Sequence, residues 1–166
     1  MPNKNLNRKI LLRDLLLAAL DENCAMLDLT VCAAVDAATN TESKPENKYD
    51  TRALEASYLA GAQRERLNEA KGMRRVLAST ELRSFDEGTP IASTAVVELE
   101  CDGIHSSCFL LPFAAGFSLP QDSTTTVHTV SLQSPLGQGL VGKFIGDSFT
   151  ISIAGKDKIY EIIFCY

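Results

Sequence analysis

Between Leu6 and Ala34, side chains Leu6, Ile10, Leu17, Leu20, Cys24, Leu27, Val31 and Ala34 recur at alternating steps of three and four, with one step missed at Arg13. That spacing marks one face of a long α-helix. The pattern breaks in Thr39-Asn40-Thr41-Glu42-Ser43-Lys44-Pro45-Glu46-Asn47. There, short polar side chains compete for backbone hydrogen bonds and Pro45 disfavours helix for the residue before it, so a turn is expected. Asp50-Thr51-Arg52-Ala53 reopens a helix to about Leu82, with Ala53, Ala56, Ala60, Gln63, Leu67, Ala70, Arg74 and Leu77 on one seam.

Neither helix can bury its stripe alone, and folding one back on the other matches their sizes. Ala34, Ala37 and Ala38 meet Ala53, Ala56 and Ala60 near the turn, while Leu17 and Leu20 meet Leu67 and Leu77 near the open end. An antiparallel coiled-coil hairpin is therefore expected over residues 1–84. With roughly 30 residues per helix it extends about 45 Å.

Past Ser84-Phe85-Asp86-Glu87-Gly88-Thr89-Pro90 the period drops to two, with Val97, Leu99 and Cys101 alternating with Glu98 and Glu100. Further strands are expected around Ile104 to Leu111, Thr126 to Gln133, Ser148 to Ile153 and Ile159 to Cys165. Ser134-Pro135-Leu136 reads as a helix cap with proline in the first turn. Residues 85–166 are thus expected to form an antiparallel sheet with one short helix, making the chain α+β.

Charge is uneven along the hairpin. Lys4, Arg8, Lys9, Arg13, Arg64, Arg66, Lys71, Arg74, Arg75 and Arg83 make the open end positive. Around the turn, Asp21, Glu22, Asp28, Asp36, Glu42, Glu46, Asp50 and Glu55 outnumber Lys44, Lys48 and Arg52. Solvated helix faces with ordinary i,i+4 pairs account for such a pattern, and so do two poles serving different partners: a cation at the tip, phosphates or an acidic protein patch at the base. The net charge of −5 argues against a general nucleic-acid coat.

No run is long and apolar enough for a membrane span. Met1-Pro2-Asn3-Lys4 leads into a charged amphipathic stretch rather than a signal core, so a soluble cytoplasmic protein without a membrane partner is expected. The five cysteines, Cys24, Cys32, Cys101, Cys108 and Cys165, form no CxxC pair and are expected to be reduced and mostly buried. His105 and His128 lie in expected strands without a nucleophile motif. Gly137, Gly139, Gly142 and Gly146 fit no phosphate-loop pattern and read as turn-makers around the short helix.

The segment Ser134-Pro135-Leu136-Gly137-Gln138-Gly139-Leu140-Val141-Gly142-Lys143-Phe144-Ile145-Gly146-Asp147, followed by Ile159-Tyr160-Glu161-Ile162, resembles the signature SPLGxxLxGKxxGD of the Gre family of RNA-polymerase elongation factors. Glu46-Asn47-Lys48-Tyr49 is similar to that family's GDLxENxEY hairpin tip, and the likeness spans nearly the whole chain in order and length. It implies an FKBP-like C-terminal fold docking on the rim of the secondary channel of core RNA polymerase, with Ser134, Pro135, Leu136 and Gly137 near the contact. It also implies that the hairpin threads toward the active site.

In cleavage-stimulating members the tip Asp and Glu share the second Mg²⁺ of the polymerase and orient a water, work suited to hard oxygen ligands. Glu46 falls on the family glutamate, with Asn47 and Tyr49 on its neighbours, but Ser43 falls on the aspartate. Two readings stay open: Glu42 or Asp50 takes the vacant role, or the tip enters without completing the metal site and the member is inhibitory or regulatory. Arg64, Arg66, Lys71, Arg74 and Arg75 are the candidates for contact with polymerase or the transcript RNA 3′ end. The chain is expected to be a monomer and not itself an enzyme, with no cofactor beyond that shared Mg²⁺. The rival expectation is a coiled-coil and FKBP-like interaction module without effect on cleavage.

Overall fold

The computed structural model describes residues 2–39, 52–113, 116–122, 125–153 and 155–166. Two compact units emerge, one formed by Leu17–Ser79 and the other by Met1–Leu16 together with Thr80–Tyr166. The first residues of the chain group with the C-terminal unit.

In the helical unit, helix α1 (Pro2–Thr39), from Leu17 onward, packs on α2 (Arg52–Ser79). Cys24 and Val31 of α1 cluster with Leu67 and Ala70 of α2, and Leu27, Val35 and Met73 pack at the edge of this cluster. Asp21 pairs with Arg74 and Asp28 with Lys71, so positions ascending on α1 meet positions descending on α2. The two helices are antiparallel, as the stripes predict. Arg74, placed on the seam by spacing, is exposed, while Met73 beside it is half-buried. Either residue can bridge Ala70 and Leu77, and the apolar one occupies the contact.

In the C-terminal unit the buried stripe of α1 runs through Lys9, Leu12 and Leu16, whereas Leu6 and Ile10 are only half-buried. The missed step at Arg13 is where the expected stripe departs from the real one, because a search restricted to apolar residues passes over Lys9.

The sheet contains β1 (Val96–Cys101), β2 (Ile104–Leu111), β3 (Ser118–Pro120), β4 (Thr126–Ser131), β5 (Ser148–Ile153) and β6 (Lys156–Cys165), in the order β3-β4-β2-β1-β6-β5. All neighbours are antiparallel except β2 and β4, which run parallel from Ser107 opposite Val127 to Leu111 opposite Ser131. The sheet is thus dominated by antiparallel pairing, as expected, with one parallel pair between β2 and β4. The short strand β3, absent from the sequence reading, pairs antiparallel with β4 at the sheet edge, where Pro120 is tolerated. The chain between β2 and β4 thus crosses over and returns in the direction of β2.

Val97 and Leu99 of β1, Cys108 and Leu110 of β2, Val130 of β4, and Ile162 and Cys165 of β6 form one core with Phe85, Ile91, Ala95 and Leu140. Ile162 and Cys165 are three residues apart, yet both join that core. A register shift at Glu98/Leu99 restores the alternation that an even-period strand would otherwise lose. Val96, Phe109, Leu111 and Val127, on the opposite face, are also buried, so the middle of the sheet is covered on both sides.

Candidate functional site

The segment carrying the family likeness is built around helix α3 (Pro135–Leu140). Ser134 has extended backbone and its Oγ accepts the Gly137 N–H at 3.1 Å, while the hydroxyl donates to the Ser131 carbonyl at 2.7 Å. Pro135, at the first helical position, forfeits only an N–H that would have lacked a helical partner. The helix then lies close to the sheet through two glycines. A Cβ on Gly137 would stand 2.0 Å from the Ser131 carbonyl oxygen, and one on Gly139 would stand 2.4 Å from the Phe149 ring. Phe149 in turn stacks on Tyr160 of the paired strand, with ring centroids 5.5 Å apart.

Beyond α3 the chain makes two tight reversals at Gly142 (φ 79°) and Gly146 (φ 88°), where a side chain would be strained. The first is pinned by Gly142 N–H donating to Ile91 O and Ile91 N–H donating to Lys143 O, both at 2.8 Å. The second is pinned by the Asp147 carboxylate accepting the Phe144 N–H at 2.8 Å, and by the Gly146 and Ile162 amides pairing across to β6. The reading of these glycines as turn-makers therefore describes Gly142 and Gly146, while Gly137 and Gly139 serve close approach.

Of the residues expected near the polymerase contact, Gly137 is buried, Ser134 is half-buried in its cap and Leu136 packs against the core, leaving Pro135 exposed. Sequence reasoning missed two exposed apolar side chains in the same segment, Val141 (47% exposed) and Phe144 (40% exposed). Val141 borders a shallow groove with Ala92, Ser93, Leu132 and Gln138. Their signal was present as large apolar residues between glycines, where no strand or helix stripe requires them.

Among the cations assigned to the base, Lys71 pairs with Asp28 at 3.3 Å and Arg74 grips both carboxylate oxygens of Asp21. The hydrogen bond from Arg74 holds the Asp21 carboxyl below its ordinary range. Arg64, Arg66 and Arg75 are exposed. Lys9, counted with that positive pole, is buried at 1% exposure. The tip candidates Glu42, Glu46, Asn47, Tyr49 and Asp50 lie outside the described residues. Among the described residues no group of three or more His, Cys, Asp or Glu side chains could hold a metal ion, and no helix is long and apolar enough to cross a membrane.

His128 Nδ1 lies 3.0 Å from Ser118 Oγ on exposed strand faces, and His105 is exposed. All five cysteines are free thiols. Cys24, Cys108 and Cys165 are buried, Cys101 is half-buried and Cys32 is exposed.

Residues 118–165 match the family model described as the C-terminal part of the transcription elongation factors GreA and GreB. That match contains the segment around α3, in agreement with the resemblance of residues 134–147. Solved structures similar to the chain include Gfh1 of Thermus aquaticus, at 19% identity over 90% of this chain and 92% of that one, with a TM-score of 0.40. GreA factor homolog 1 of Thermus thermophilus is 18% identical over 90% of this chain and 94% of that one, with a TM-score of 0.35. A GreA/GreB elongation factor from Nitrosomonas europaea is 18% identical over 68% of this chain and 93% of that one, with a TM-score of 0.34. No curated protein matches the sequence.

Proposed function

We propose that the chain is an accessory factor of RNA polymerase that docks through its C-terminal unit at the rim of the secondary channel and acts on backtracked or paused complexes through its helical pair. The observation that carries this reading is the GreA/GreB match over residues 118–165. The exposed side chains Pro135, Val141 and Phe144 on the α3 segment support it, because apolar groups presented on a rigid turn suit a protein partner. The metal and the nucleic acid belong to the polymerase in this reading, and the factor supplies position and carboxylates.

The test is capture of core RNA polymerase by the full chain, comparing wild type with a Pro135→Ala, Val141→Ser, Phe144→Ser variant. Wild type binds, and the variant binds about tenfold more weakly or worse while its circular dichroism is unchanged. A wild-type chain that captures no polymerase would overturn the proposal.

A second reading is favoured by Ser43 at the place of the family's tip aspartate: the factor occupies the channel and restrains the enzyme without stimulating cleavage. Added to a backtracked elongation complex, a cleavage-stimulating factor releases short 3′ fragments and Glu46→Ala abolishes them. A restraining factor slows the complex and releases none.

A further inference from the structure

A buried cation in the C-terminal unit has no part in the reading above. Lys9 is 1% exposed, and its Nζ donates to the Arg83 carbonyl at 2.7 Å. The same nitrogen stands 4.5 Å from the Phe85 ring centroid and 5.8 Å from that of Tyr166. The Arg83 guanidinium approaches the Phe85 ring at 5.6 Å, so two cations flank one aromatic wall. No ion pair among the described residues includes Lys9. Asp86 borders the same space, but its Oδ1 already accepts from the Gly88 N–H at 3.1 Å and the Thr89 hydroxyl at 2.6 Å.

An ammonium withdrawn from water is costly without a counter-charge. Burial pulls the Lys9 pKa down to about 8; Cys165 opposes that shift and Arg83 adds to it. Beside the amine lies a cavity of about 330 Å³ lined by Lys9, Arg83, Phe85, Tyr166 and Asn5 among others. That volume stands near the lower end of small-molecule sites, which are mostly apolar with a few placed polar groups.

We propose that this cavity binds a small organic carboxylate with a flat apolar body, its anion paired with Lys9 and Arg83 and its body against Phe85 and Tyr166. A monoanion with an apolar body suits the two aromatic walls better than inorganic phosphate, whose second charge would have to be desolvated. The site is independent of the polymerase reading, since none of its residues lies in the α3 segment.

The experiment is calorimetric titration of the full chain with sodium benzoate, with neutral benzyl alcohol and inorganic phosphate in parallel. Benzoate binds saturably at one site, and benzyl alcohol binds at least about tenfold more weakly. Lys9→Met weakens benzoate by about tenfold or more; should that variant fail to fold, Arg83→Gln, altered at an exposed side chain, weakens it severalfold. The groups facing the amine are Arg83, Cys165, Tyr166 and Asp86. With the Lys9 pKa near 8 in the empty site, benzoate binding at pH 8 takes up about half a proton and at pH 6 almost none. Equal binding of benzoate and benzyl alcohol, no saturable benzoate binding in the millimolar range, or tighter binding of phosphate would each overturn the assignment.

Discussion

Gly137 and Gly139 look alike in sequence, and their surroundings separate them. The Cβ of an alanine at 137 meets a backbone carbonyl that is itself held in the Ser131 turn, whereas one at 139 meets the edge of a side-chain ring. Replacing a helical glycine by alanine ordinarily gains up to about 1 kcal/mol. Gly137→Ala is instead expected to cost about 3 kcal/mol or more and Gly139→Ala about 1–3 kcal/mol, read from urea unfolding. Adding Phe149→Leu should recover part of the Gly139→Ala loss and none of the Gly137→Ala loss; equal recovery of both would contradict the geometry.

Lys9 was visible in the sequence only as one more base, because its burial depends on Phe85, Arg83 and Tyr166, which are remote along the chain. Its amine holds a proton to about pH 8 when folded but to 10.5 ordinarily, so between those values the unfolded chain carries more protons and stability rises with pH. Between pH 8 and 9 the wild type should therefore gain roughly 1 kcal/mol relative to Lys9→Met, a rise measurable as a shift in urea midpoint. Burial raises Cys165 to about 11 and Cys108 to about 12, so these thiols lower stability above pH 9. Between pH 8 and 9 a flat difference between the two proteins would contradict the burial of the amine.

At the scale of elements, periodicity identified both long helices and the strands with clear alternation. β2 and β5 have the bounds that alternation predicts, and β6 starts earlier, at Lys156. What escaped was structure whose cause is not local. The three residues of β3 are too few to show a period, and the parallel pairing of β4 with β2 follows from the crossover that β3 belongs to. The Ser-Pro start of α3 was legible because capping chemistry is local. Ser134→Ala removes both the acceptor for the Gly137 amide and the donor to Ser131, and should lower unfolding stability by about 1 kcal/mol, with Ser134→Asp, which retains an acceptor, losing less. Equal losses for the two variants would mean that the cap contributes nothing.

At the scale of the whole chain, the functional reading rests on residues 118–165 and not on the acidic turn, whose five candidates lie outside the described residues. The fold changes the charge map: Lys71 and Arg74 are occupied by Asp28 and Asp21, and Lys9 is withdrawn from water, so of the five candidate contact cations Arg64, Arg66 and Arg75 stay exposed outside those two pairs. Of the motif residues, Ser134, Leu136 and Gly137 also serve the cap, the core and the close approach, while Pro135, Val141 and Phe144 are what the surface presents. Small residues wedged between helix and strand have to persist in any descendant that retains this architecture, whatever it has ceased to do. The same string would thus be inherited by proteins that hasten, stall or ignore an enzyme, and it testifies to lineage while staying silent about occupation.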